Sequence, residues 1–171
     1  MTMSTAGAPV AAAEPARGED GRRTAAAPSA EVAALEQQLA RLFATVKTLT
    51  RDRAVAVHPE LSPGGYMALA TLVRSGPQHA GALAASLYVD KSVISRIVRQ
   101  LIDLGLAERR ADPQDGRAFF IAATPAAVRK VDAIRDGYRR SLHEFLADWE
   151  PAEIAQFTAL LARLNGIDQA H

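Results

Sequence analysis

The sequence predicts a mainly α-helical chain with one small β-hairpin. Three observations predict it. After residue 29, apolar residues recur mostly at steps of three and four, the spacing of one helix face. Serine or threonine followed by proline, and glycine after an apolar run, punctuate the chain where helices start and stop. Two short stretches break the pattern, Ala107 to Ala111 and Ala118 to Thr124. The second holds Phe119, Phe120 and Ile121, and turn formers separate the pair, so they read as two hairpin strands.

Composition narrows the function classes. The chain has 171 residues, 49% apolar and 23% charged, ordinary for one globular domain with an extension. No run approaches the roughly 18 uninterrupted apolar residues of a membrane span, and the N-terminus lacks a basic-then-apolar leader, so no membrane partner and a cytoplasmic location are expected. Cysteine is absent, which excludes disulfides, thiol redox sensing and cysteine metal sites. His58, His79, His143 and His171 have no i,i+4 pairing, so neither a histidine metal site nor any cofactor is expected. No glycine-rich phosphate loop or Ser-His-Asp context is present, so the chain does not read as an enzyme. Twenty basic residues against nineteen acidic ones leave a net charge of +1. Nucleic-acid contact must therefore rest on local charge placement.

The elements follow in order. Residues 1–28 are rich in alanine, glycine and proline, and Arg17, Arg22 and Arg23 balance Glu14, Glu19 and Asp20. Such a segment cannot offset the entropy of ordering it and reads as a disordered tail. Ser29 suits an N-cap, and Val32, Leu35, Leu39, Leu42, Phe43, Val46 and Leu49 predict a first helix to about Arg53. His58 and Pro59 break it. Ser62 and Pro63 start a second helix, with Tyr66, Leu69, Ala70, Leu72 and Val73 inward, ended by Gly76 and Pro77. A third covers roughly His79 to Leu87. Tyr88 and Val89 connect it to a fourth, for which Asp90 is the expected N-cap. Gly105 fits the left-handed residue after that helix.

The fourth helix carries the functional signal. Ile94, Ile97, Val98 and Leu101 point to a core, and the other face carries Ser92, Val93, Ser95, Arg96, Arg99 and Gln100. Two short helices, the second with a small, polar and basic face, form a helix-turn-helix pattern. Serine can bond bases or phosphates, arginine can grip guanine, and an exposed valine can touch a thymine methyl. The hairpin that follows adds Arg109, Arg110 and, at its tip, Arg117. Arg117 suits a narrow minor groove, and Asp115 can orient it by a charge-assisted bond. A solvated helix face and a self-paired hairpin tip are the bland alternatives.

On these residues the chain from 31 to 166 resembles MarR-family transcription regulators. The most specific stretch is DKSVISRIVRQLIDLGLAERRADPQDGRAFFIAAT, residues 90 to 124. Asp112, Pro113, Asp115 and Arg117 match the family's wing pattern, Arg96 its recognition-helix arginine, and Gly105 and Leu106 its turn. Three places depart: His79 where Ser or Thr often caps, Tyr88 where glycine is common, and Ala122-Ala123 where a bulkier pair is usual. The resemblance implies a winged helix-turn-helix homodimer that binds a palindromic operator in double-stranded DNA and often releases it on binding a small molecule.

After the wing, Thr124 and Pro125 open a long helix through Val128, Val131, Ile134, Tyr138, Leu142, Phe145 and Leu146 to Trp149. Glu150 and Pro151 break it. Ile154, Phe157, Leu160, Leu161 and Leu164 form a last helix. A small winged helix does not need the first, fifth and sixth helices for its own core, so they read as a dimerisation arm; an internal bundle in a monomer is the alternative. The expected organisation is thus tail 1–28, first dimerisation helix 29–60, winged helix-turn-helix 61–124 and C-terminal dimerisation helices 125–167. The resemblance places a small aromatic or amphipathic effector between arm and winged helix, with His58, Tyr66, Arg41 and Phe43 as candidate contacts. The rival reading is a helical interaction module that no longer binds DNA. Retention of Arg96, Arg99, Arg109, Arg110 and Arg117 speaks against it.

Overall fold

The computed structural model describes residues 29–115 and 118–166. The expected tail at 1–28 and the end of the last expected segment, Ile167, lie outside the described residues. Within them the order is α1 (Ala30–Val57), α2 (Pro63–Ser75), α3 (Ala80–Ser86), α4 (Lys91–Asp103), β1 (Ala107–Ala111), β2 (Phe119–Ala123), α5 (Pro125–Phe145) and α6 (Pro151–Asn165). The architecture is the expected one, mainly helical with a two-stranded antiparallel wing.

Two compact units divide the chain, one ending at Leu39 and one running from Ala40. In the first, Ser29 caps the start of α1, its hydroxyl accepting from Val32 N at 3.4 Å. The same hydroxyl holds the exposed Glu31 carboxyl below the ordinary carboxylate range.

In the second unit a single core runs from Ala54 to Val131. Leu69, Leu72, Leu83, Ile94, Leu101 and Ile121 are its largest fully enclosed side chains. The end of α1 contributes Ala54 and Val57, and the start of α5 contributes Ala127 and Val131. This explains why α1 runs four residues past the expected Arg53: Ala54 and Val57 have apolar surface to bury, and only His58, held before Pro59, is biased out of the helical region. Lys130 Nζ then donates to the Val57 carbonyl at 2.8 Å, supplying a cation where the helix dipole favours one.

The helix starts follow from sequence with two corrections. Ser62 accepts from Gly65 N and Thr124 from Ala127 N, each ahead of a proline. Asp90 occupies the N-cap position of α4, but its side chain makes no capping bond. His79 is itself the N-cap of α3, also without a side-chain capping bond. The end of α4 is closed as expected: Gly105 has φ 66°, Gly105 N donates to Ile102 O at 2.9 Å and Leu106 N to Leu101 O at 2.8 Å, the two bonds of a Schellman turn. Tyr88 has φ 53°, a left-handed conformation that costs a residue with a Cβ roughly 1 kcal/mol or more.

α5 stops at Phe145, four residues before the expected Trp149. Pro151 pushes Glu150 out of the helical region, to ψ 142°, and the chain unwinds ahead of it. Trp149 then sits between Phe145 and Phe157, with ring centroids 6.1 and 6.0 Å away, so the corner between α5 and α6 is aromatic. β2 is shorter than expected at both ends, because Ala118 bonds within the hairpin tip and Thr124 caps α5.

Candidate nucleic-acid interface

α4 splits cleanly into two faces. Ile94, Val98 and Leu101 are buried. Ser92, Ser95, Arg96 and Arg99 are exposed, and Val93 is half-buried. Ser95 Oγ donates to Lys91 O at 2.7 Å, which leaves its lone pairs outward to accept. Arg96 and Arg99 make no ion pair or hydrogen bond among the described residues. Most other basic groups near them in sequence are engaged. Arg110 Nε donates to Glu108 Oε1 at 2.9 Å, and the Arg109 guanidinium lies 4.5 Å from the Phe119 ring centroid. The two recognition-face arginines therefore keep their full donor capacity for a partner.

Gln100 departs from its expected place on the outward face. It turns back and accepts from Ser62 Oγ at 2.7 Å, while its Nε2 donates to the Glu60 carbonyl at 2.9 Å. The Ser62 hydroxyl thus serves both α2, which it caps, and α4, which it holds. The approach is close: a Cβ on Gly65 would stand 2.7 Å from Leu61 Cδ1 and 2.9 Å from Gln100 Oε1. No local pattern announces this network, because its partners are about forty residues apart. Two shallow hollows of about 300 Å³ flank α4, and Arg96 lines both.

The wing is tied to the helix-turn-helix at its base. β1 and β2 pair antiparallel with Arg109 opposite Ile121 and Arg110 opposite Phe120. Gln78 adds a third backbone partner, exchanging two hydrogen bonds with Ile121 at 3.0 and 2.8 Å. His79, absent from the expected site, stacks on Phe120 with centroids 4.1 Å apart. Its Nδ1 lies 3.1 Å from Phe119 O and its Nε2 3.2 Å from Asp112 Oδ2. Asp112 also accepts from Gln114 N at 2.8 Å, shaping the turn into the tip. Thus the departure from a Ser or Thr cap at position 79 gives α3 no side-chain capping bond but gives the wing an anchor. Asp115 is exposed and its carbonyl accepts from Ala118 N at 2.9 Å. Arg117, the expected tip arginine, lies outside the described residues.

The candidate effector contacts are spread apart in character. Arg41 and Phe43 are exposed on α1, Phe43 by 68%. Tyr66 is in the core. His58 is half-buried, its Nδ1 accepting from Glu60 N at 3.2 Å. A cavity of about 420 Å³ is lined by other residues, among them Leu72, Val73, Arg110, Ala122 and Val128.

Comparison with known proteins places this geometry. The family model described as the MarR family matches residues 60–118, which hold α2, α3, α4 and the wing strand β1. A proposed transcriptional regulatory protein for the hcr operon of Thauera aromatica is 30% identical over 112 residues, covering 66% of this chain and 68% of that protein. The crystal structure of a MarR family transcription regulator superposes with a TM-score of 0.70 at 22% identity, covering 82% of this chain and 93% of the other. A MarR family protein from Bacillus stearothermophilus gives a TM-score of 0.68 at 24% identity, covering 82% and 96%. No helix among the described residues is long and apolar enough to cross a membrane. The chain belongs to the MarR family of transcriptional regulators, which bind DNA and are not enzymes.

Proposed function

We propose that two copies of this chain form a cytoplasmic homodimeric repressor that binds a palindromic operator. One observation carries the reading: the helices outside the winged-helix core expose their apolar stripes. α6 buries no residue at all. Phe145 is 69% and Phe157 54% exposed, and Leu42, Val46, Leu142 and Leu160 are exposed with them. Rows of large apolar side chains left exposed along helices mark an interaction surface, and a second copy covers them in a two-fold interface. Two-fold symmetry then pairs two α4 helices and dictates an inverted repeat with half-sites about one helical turn apart.

In this reading Ser92, Val93, Ser95 and Arg96 face base edges in the major groove. Arg99, one turn on, meets phosphate. The wing follows the flank, with Arg117 in the minor groove, Asp115 orienting it and Arg110 near the backbone. The unpaired state of Arg96 and Arg99 supports these roles. Release is proposed to come from a small aromatic or amphipathic effector lodged beside the dimer arm, near Arg41, Phe43, His58 and Tyr66; the exposed Phe43 ring offers it a stacking surface. Sedimentation equilibrium tests the assembly: a species of twice the chain mass at micromolar concentration is expected, and a fully helical monomer contradicts it.

A further inference from the structure

The turn between α3 and α4 carries a conformational cost that no side-chain contact among the described residues offsets. Tyr88 is the one non-glycine residue with positive φ among the described residues. Glycine would occupy that region without steric penalty. Its backbone N–H donates to Ala85 O at 3.2 Å, a bond glycine would make equally well. Its side chain is 97% exposed and has no hydrogen bond, ion pair or ring contact among the described residues. Leu87 and Val89 on either side pack on the core, so the Tyr88 ring is left pointing to solvent. Strain of this kind is a pointer to function when the surrounding structure gives no return for it.

Position names the partner. Tyr88 stands three residues before Lys91 and four before Ser92, both exposed at the start of α4. That end of the second helix is what helix-turn-helix proteins bring to base edges, with phosphates on either side. Asp90, between them, is the N-cap of α4, but its side chain makes no capping bond to the first turn. A tyrosine hydroxyl is a regular donor to phosphate oxygens. We propose that Tyr88 is a further DNA-contacting residue, its hydroxyl donating to a phosphate at the rim of the groove that α4 enters and its ring lying along the adjoining sugar. The inference rests on the DNA-binding reading above. It also predicts a signature that distinguishes Tyr88 from the arginines: a neutral phenol releases no counterion, so its loss weakens binding without changing the salt slope.

The test uses the full chain, its Tyr88→Gly and Tyr88→Phe variants, and Arg96→Ala as a control. Each is melted thermally and titrated at several salt concentrations against a duplex selected by the wild type from a randomised pool. Tyr88→Gly is expected to melt higher than wild type yet bind about tenfold more weakly, the size of one hydrogen bond to a charged group. Tyr88→Phe, which keeps ring and strain but loses the hydroxyl, melts like wild type and binds with affinity between the other two, and all three share one salt slope. Tyr88→Gly binding as tightly as wild type while Arg96→Ala is weakened overturns the inference and leaves the DNA-binding reading standing. A lower melting temperature for Tyr88→Gly overturns its premise. A wild type that selects no duplex overturns the DNA-binding reading and this inference together.

Discussion

The winged helix and the terminal helices use apolar residues in opposite ways. From Ala54 to Val131 they close on one another, and Leu69, Leu83, Ile94, Leu101 and Ile121 are sealed from solvent. In α6 and the second half of α5 the same spacing of Tyr138, Leu142, Phe145, Phe157 and Leu160 leaves each side chain exposed. Periodicity alone does not tell the two apart. What separates them is tertiary supply: α4 has α2, α3 and β1 to pack against, whereas α6 has little beyond the Trp149 corner. One region is complete in a single chain; on the proposed reading the other is completed by a second copy.

Substitutions can break that comparison, starting with the largest effect. Leu160→Asp places an unpaired charge in the proposed interface, which costs several kcal/mol. Light scattering is expected to show monomer or aggregate in place of dimer, with loss of DNA binding. Leu101→Ala, in the sealed core, should cost about 2–5 kcal/mol by denaturant unfolding. Leu160→Ala sharpens the contrast, because its deficit should shrink as protein concentration rises, by mass action on the dimer. A deficit independent of concentration would place Leu160 in an internal core.

The DNA face supports smaller, separable effects. Arg96→Ala should cost about 1–3 kcal/mol in operator binding and relax preference at one symmetric pair of positions. Arg99→Ala should lower the salt slope by about 1 per protomer with sequence preference intact. Arg110→Ala should have the smallest effect, because Glu108 already engages its guanidinium at 2.9 Å and exposed pairs contribute only about 0–1 kcal/mol. A loss at Arg110 equal to that at Arg96 would show that DNA displaces Glu108.

Much of this was legible in sequence because it is local. The proline-marked caps at Ser62 and Thr124, the Gly105 turn and the two faces of α4 each depend on residues a few positions apart. The remainder depends on contacts distant in sequence. Gln100 reads as part of an outward polar face until Ser62 and Glu60 fold back to claim it. His79 reads as a poor helix cap until Asp112 and Phe119 arrive to hold it. The four added residues of α1 follow from burial of Ala54 and Val57, and the early end of α5 from the conformational reach of Pro151. Tyr88 was visible as a departure from glycine, but its cost appears only with its φ of 53°.

The central claim is that exposed stripes on the terminal helices pair two copies and so present two α4 helices to DNA. Selection of duplexes from a randomised pool by the full chain tests it most directly. The account predicts an inverted repeat with half-site centres about 10 base pairs apart. A single asymmetric half-site bound with full affinity would contradict it.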